Sequence, residues 1–165
     1  MIKPDFWIRQ FGVNGGIVPF DFDNVNPASY DVTLGNEWIS PTKGDEKIIA
    51  DSFILYPKEV VLATTQEHVK LPRNVVCDLK LKSTIGRLWI NHSLSGWIDC
   101  GFHGQITLEL QNIGVVPQTL KAGIRIAQLV FMEMSAEPEI AYDQSANSHY
   151  NEQTGVTKAY KDVLS

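Results

Sequence analysis

The run QITLELQ, residues 105–111, alternates strictly: Ile106, Leu108 and Leu110 fall on one face, and Gln105, Thr107, Glu109 and Gln111 on the other. A period of two specifies an extended strand with one buried face, and it fixes the direction of every side chain at once. The apolar face belongs in a core. The opposite face then carries a carboxylate, Glu109, among hydrogen-bonding neighbours.

Much of the remaining chain follows the same short-strand pattern. Ser29–Gly35, in which Tyr30, Val32 and Leu34 alternate with Asp31 and Thr33, reads as a strand that turns at Gly35-Asn36. Lys47–Ala50, Ser52–Tyr56, Val60–Thr65, Val75–Lys80, Thr119-Leu120 and Ile124–Met134 read likewise, punctuated by Gly44, Asp45, Pro57, Pro72 and Asn74. Short strands with frequent turn signals and no strand–helix–strand alternation predict an all-β sandwich or barrel. Asp31 is expected to cap neighbouring backbone donors. One helix is expected over residues 3–11, with Pro4 in its first turn and Trp7, Ile8 and Phe11 as its buried stripe.

From Ser135 the sequence turns polar and loses its period, which divides the chain into a barrel domain, 1–134, and a C-terminal arm or lid, 135–165. The arm keeps Tyr142, Tyr150 and Tyr160, whose rings favour burial, so it is expected to dock, and a neighbouring subunit is the expected surface. With 165 residues and 44% hydrophobic content the chain can bury one real core. A net charge of −5 without any basic run argues against a nucleic-acid partner. Cys77 and Cys100 are expected as free thiols. Neither a leader-like N-terminus nor a run of ~18 apolar residues occurs, so a soluble cytoplasmic protein without a membrane partner is expected.

Three features carry chemistry. Lys82, Ser83, Thr84 and Arg87, set around Gly86, combine cations, hydroxyls and backbone donors in a composition suited to a polyphosphate. Gly96-Trp97-Ile98-Asp99 is a turn followed by an acceptor fit for a sugar hydroxyl. Glu109 is the candidate general base.

These features lie in five segments, NPASYDVTLG, KSTIGR, SGWIDCGFHGQITLELQN, AGIRIAQL and SHYNEQTG, whose order and content resemble the dCTP deaminases of the trimeric dUTPase-like superfamily. The resemblance implies a distorted β-barrel or jelly roll. It implies a homotrimer with active sites at subunit interfaces, dCTP and dUTP as substrates, dTTP as inhibitor, and Mg²⁺ carried with the nucleotide's phosphates. Glu109 takes the place of the general acid/base, and Ser83 and Arg87 flank the reacting base. Lys82, Thr84, Ile85 and Gly86 complete the triphosphate segment, Asp99 holds the deoxyribose 3′-hydroxyl, and Thr107 and Leu108 line the pyrimidine. Gln128, Tyr142 and Gln153 contact phosphate from the strand and the lid, where Tyr150 also lies. Ser95 completes the substrate-binding set.

Monofunctional members of the family carry a His-Arg pair where this chain has Gly96-Trp97. The pair found here resembles that of the bifunctional type, which goes on to hydrolyse dUTP to dUMP and diphosphate. Leu94 stands where relatives have Thr, the loop from Arg87 to Asp99 is one residue short, and His149 replaces a lid Lys. These departures bear on the base accepted and on dTTP control. Zinc deamination uses a C-x-x-C pair, and this chain has none, so no zinc is expected. Two other readings share the resemblance: a plain dUTPase, and a non-catalytic nucleotide-binding regulator. Ammonia release from dCTP separates them from a deaminase.

Overall fold

The computed structural model describes residues 1–92 and 96–160. The expected helix is present as α1 (Asp5–Phe11), with Ile8 fully buried and Pro4 at the capping position. A wide turn over Gly12–Gly16 follows and is broken at Gly15, whose φ of +83° suits glycine.

The strands are β1 (Ile17–Val18), β2 (Val25–Asn26), β3 (Ser29–Ile39), β4 (Lys47–Ile49), β5 (Ser52–Leu55) and β6 (Val60–Lys70). They continue with β7 (Val75–Leu81), a one-turn helix α2 (Ser83–Gly86), β8 (Ile90–Asn91), β9 (Trp97–Ile98), β10 (His103–Asn112), β11 (Gln118–Lys121) and β12 (Arg125–Glu133). A curled antiparallel sheet runs in the order β8-β10-β6-β3-β12-β7-β9, with β1 added to β6 and β2 and β4 to β3; β5 and β11 form a separate pair. This is the expected all-β architecture, with the sheet curled into a half-barrel.

Two strands are longer than their sequence patterns indicate, for one reason. The pattern ends β6 at Thr65, where Gln66, Glu67 and His68 break the alternation. Instead the register against β10 slips from Gln105↔His68 to Thr107↔Thr64, so Thr65–Glu67 form a bulge and the strand resumes. The bulge is sealed by side chains: Ile106 N–H donates to Thr65 Oγ1 at 3.0 Å, and Gln105 Nε2 donates to Thr65 O at 2.8 Å. Likewise Gly35-Asn36 is not a turn but part of a bulge in β3, between Leu34↔Thr65 and Trp38↔Ala63. A Cβ on Gly35 would lie 2.6 Å from Thr64 Cγ2, so the close strand crossing requires glycine.

The barrel is filled by Tyr30, Val32, Leu34 and Trp38 of β3, Leu79 of β7, Leu108 and Leu110 of β10, and Ile126, Leu129 and Phe131 of β12. Burying each of these side chains contributes about 1.5–3 kcal/mol. Cys77 and Cys100 are free and buried.

Glu59 is the buried carboxylate that ties the β5–β6 turn to the rest. Its Oε1 accepts from Ser40 Oγ and Thr42 Oγ1, both at 2.8 Å, and its Oε2 accepts from Tyr56 N–H at 2.9 Å. Burial works to raise its pKa, but these donors outweigh burial and leave it below the usual value. A folded-state pKa below the unfolded one adds stability at neutral pH, and that stability is lost as pH falls through the carboxylate range. Replacing Glu59 by Gln points an amide donor at one of these donors, so a loss of about 1.5–3 kcal/mol is expected. Urea melts of both proteins at pH 7 and pH 4 should show the gap narrowing in acid.

Candidate functional site

Strand β10 shows its alternation without exception: Gly104, Ile106, Leu108, Leu110 and Asn112 are buried and the residues between them half-buried. The second face forms one wall of a cavity of about 490 Å³. Thr107 and Glu109 line it from β10, Gly96, Trp97 and Asp99 from the β9 segment, and Tyr142, Tyr150, Gln153, Thr157 and Lys158 from the arm. Glu109 therefore sits where its strand pattern puts it, on a cavity it shares with Asp99 and the arm.

Its environment changes its chemistry. Burial raises the Glu109 pKa, and the nearby His92 partly offsets that rise. Glu109 Oε2 is buried without a hydrogen-bond partner, as are Gln153 Oε1 on the same cavity and His92 Nδ1. Buried polar atoms left unpaired in this way mark a position that a polar ligand or water completes. His92 is a participant that sequence reasoning missed. It lies 2.9 Å from Leu79 O through Nε2, and the carbonyl can only accept, so Nε2 carries a proton and Nδ1 is the ring nitrogen left without a partner. Nothing in its spacing singled it out. Gly96 makes room for it: a Cβ there would stand 2.9 Å from Leu79 O and 3.2 Å from His92 Cε1.

The arm docks, as its aromatic content indicates, and within the chain the surface it covers is β10. Glu152 N–H donates to His103 O and Gln105 N–H to Gln153 O at 2.6 and 3.0 Å. The amide of Gln153 donates to Gln105 O at 2.6 Å, and Thr157 N–H donates to Thr107 Oγ1 at 3.3 Å. Its tyrosines satisfy one another: Tyr150 N–H donates to Tyr142 Oη, Tyr160 N–H donates to Tyr150 Oη, and the Tyr160 ring stacks on His149 at 4.2 Å. Ion pairs Arg73–Asp143 at 2.9 Å and Lys158–Asp45 at 3.1 Å pin its two ends.

One glycine decides whether this arm can close. Gly155 has φ +72°, and a Cβ on it would fall 2.0 Å from Glu37 Oε2, the oxygen that accepts Val156 N–H at 2.9 Å. An L-residue there costs about 1–2 kcal/mol in backbone strain before the collision is counted. Gly155→Ala is expected to release the arm, seen as roughly tenfold faster protease nicking between 135 and 160 while the barrel stays intact.

The remaining candidates form a second cluster. Lys82, Ser83, Thr84, Ile85, Gly86 and Arg87 do not line the Glu109 cavity. Lys82 N–H donates to Ile126 O at 3.1 Å, and its ammonium pairs with Asp31, which also accepts from Asn26 Nδ2 at 2.9 Å. Asp31 thus holds side-chain donors rather than capping backbone ones, because its strand is buried on both faces and Lys82 reaches in. Gln128 pairs with Asp31 and Lys80 in register, so it belongs to this cluster and not to the cavity. Ser83, Thr84, Gly86 and Arg87 lie at the surface. Two expected contacts are limited to backbone: Ile85 and Leu108 point into the core, 6% and 1% exposed. Leu94 and Ser95 lie outside the described residues.

Among the described residues no group of His, Cys, Asp or Glu is arranged to hold a metal by itself. The cavity nevertheless offers carboxylate oxygen in Asp99 and Glu109, which suits an ion that takes most of its ligands from phosphate and water.

A family model described as dCTP deaminase-like matches residues 7–134. A Methanoregula boonei protein named dCTP deaminase, dUMP-forming, is 39% identical over 95% of this chain and 95% of its own length. The crystal structure of a 2′-deoxycytidine 5′-triphosphate deaminase from Agrobacterium tumefaciens superposes with a TM-score of 0.68 at 22% identity, covering 79% of this chain and 47% of that one. A point mutant of the dUTPase from phage phi11 of S. aureus, whose structure concerns a structural Mg(II) ion, superposes with a TM-score of 0.53 at 19% identity over 70% of this chain and 82% of its own. The last two are likenesses of fold.

Proposed function

Because this chain belongs to the dCTP deaminase-like family, we propose that it converts dCTP to dUMP, by deamination at cytosine C4 followed by hydrolysis of the dUTP formed. The observation that carries the reading is Glu109: a carboxylate of raised pKa with a buried, unpaired oxygen, facing a nucleotide-sized cavity. Deamination adds water at C4 and expels ammonia, so one group has to accept a proton from the water and return protons to the ring nitrogen and the departing amine. A carboxylate whose pKa is raised toward neutrality does both. His92 partly offsets the rise, acting against burial.

Asp99 accepts the sugar hydroxyl, Thr107 borders the pyrimidine, and Tyr142, Tyr150 and Gln153 hold the phosphates from the arm. Mg²⁺ belongs with those phosphates, where it supplies charge neutralisation. In the second step Asp99 and Glu109 orient a water toward the α-phosphate, giving dUMP and diphosphate. The same cavity is the proposed site of inhibition by dTTP, which differs from dUTP by one methyl group.

Ser83 and Arg87 are separate from Glu109 on one chain, and both lie at the surface. Beside them Leu88 and Trp89 leave 40% and 62% of their surface open, and Trp89 holds a φ of +63° that a bulky residue avoids. An incomplete anion cluster with an apolar flank supports a homotrimer in which one protomer's Ser83 and Arg87 complete the next protomer's cavity. A cytoplasmic location is part of this reading, and the free thiols support it.

Separating the products of dCTP by chromatography, with ammonia measured in parallel, tests the whole scheme. Ammonia, dUMP and diphosphate are expected in equal amounts. Accumulation of dUTP removes the second step, and absence of ammonia removes the first.

A further inference from the structure

Asp99 follows a strand of only two residues, β9, whose ladder contacts to β7 end at Ile98. Past that point no strand holds the carboxylate. What holds it is Trp97: the indole Nε1–H donates to Asp99 Oδ1 at 3.0 Å. An indole nitrogen is a donor only, and a donor to an ionised carboxylate makes one of the stronger hydrogen bonds. The contact occupies one oxygen. Among the described residues no other side-chain donor reaches Asp99, so Oδ2 is left for a ligand. Trp97 and Asp99 both line the cavity, and Trp97 is 56% exposed, so packing does not account for a tryptophan here.

We propose that Trp97 is a positioning residue, whose indole N–H orients Asp99 so that its second oxygen accepts the 3′-hydroxyl of the nucleotide sugar. The proposal rests on the assignment of Asp99 to the sugar. It makes Trp97 a determinant of sugar recognition rather than of base or phosphate binding. Its removal has to be felt through one hydroxyl of the ligand and nothing else.

Trp97→Phe keeps an aromatic ring and deletes the donor, at a surface position where folding is not at stake. Calorimetric titration with dCTP and with 2′,3′-dideoxycytidine triphosphate, in Mg²⁺ and with Glu109→Gln added to every protein compared so that dCTP is not consumed, reads the effect on binding alone. The wild type is expected to prefer dCTP. Trp97→Phe is expected to weaken dCTP about tenfold and leave the dideoxy nucleotide unchanged. Trp97→His, which offers an N–H again, should recover part of the loss, and Trp97→Phe with Asp99→Asn should be no weaker than Asp99→Asn alone. Equal losses for both nucleotides, no loss, or additive effects overturn the proposal. If the wild type does not distinguish the two nucleotides, the assignment of Asp99 falls and takes the proposal with it. If the wild type prefers dCTP and Trp97→Phe retains that preference, the proposal alone falls. If Trp97→Phe behaves as expected but the wild type releases no ammonia, the positioning role stands and the deaminase reading fails.

Discussion

Glu109→Gln is expected to reduce ammonia release from dCTP by about 10³-fold or more, with the nucleotide still bound. General acid–base groups contribute about 10²–10⁴-fold on their own, and here one side chain serves every proton transfer of the first step. The amide is nearly the same size, so packing of β10 on its apolar face is undisturbed and the melting temperature should hold. The wild-type pH profile carries a second signature. The reaction begins from ionised Glu109, whose pKa lies above the ordinary 4.5 because of burial. Activity therefore falls, as pH is lowered, through a value above 4.5. His92→Asn removes the partial offset and should move that acid limb upward. Rates from pH 4 to 9, with folding checked by circular dichroism at each point, decide both. A profile that does not move with His92 would detach the imidazole from Glu109.

Mixing two dead variants is expected to restore activity. Arg87→Ala and Glu109→Gln each remove one part of a site that, in the homotrimer reading, spans two protomers. Unfolded together in equal amounts and refolded, they should give random trimers in which about one quarter of the sites pair an intact Arg87 with an intact Glu109. The recovered rate should approach that fraction of wild type, against a background near zero for either variant alone. No recovery, with trimers verified by light scattering, means that both residues act within one chain. In that case the Lys82–Arg87 segment would have to move to reach the cavity.

What could be read in the sequence was what is local. The faces of β10 follow from a period of two, and α1 from its apolar spacing and the glycines after it. The errors came from residues that act across long separations. Asp31 looked like a backbone cap because its partner, Lys82, is 51 positions away. The ends of β3 and β6 were misplaced because a bulge looks like a strand terminus until the partner strand is known. The arm's path depends on Gln105, Thr107 and Glu37, which no pattern within the arm reveals. Residues named from the five matching segments do not all lie together. Thr107, Glu109, Asp99 and the arm residues converge on one cavity, whereas Lys82–Arg87 and Gln128 gather elsewhere, as expected if a single chain holds only one half of each partnership.

Strand β10 is at once a wall of the core and a wall of the cavity, so its length and its reactivity cannot be altered separately. Inserting or deleting one residue between His103 and Leu108 would turn Glu109 inward and Leu108 and Leu110 outward, destroying the fold and the chemistry together. Homologues that differ in length are therefore expected to differ before β9 or in the arm, and to keep this decade of residues at constant count.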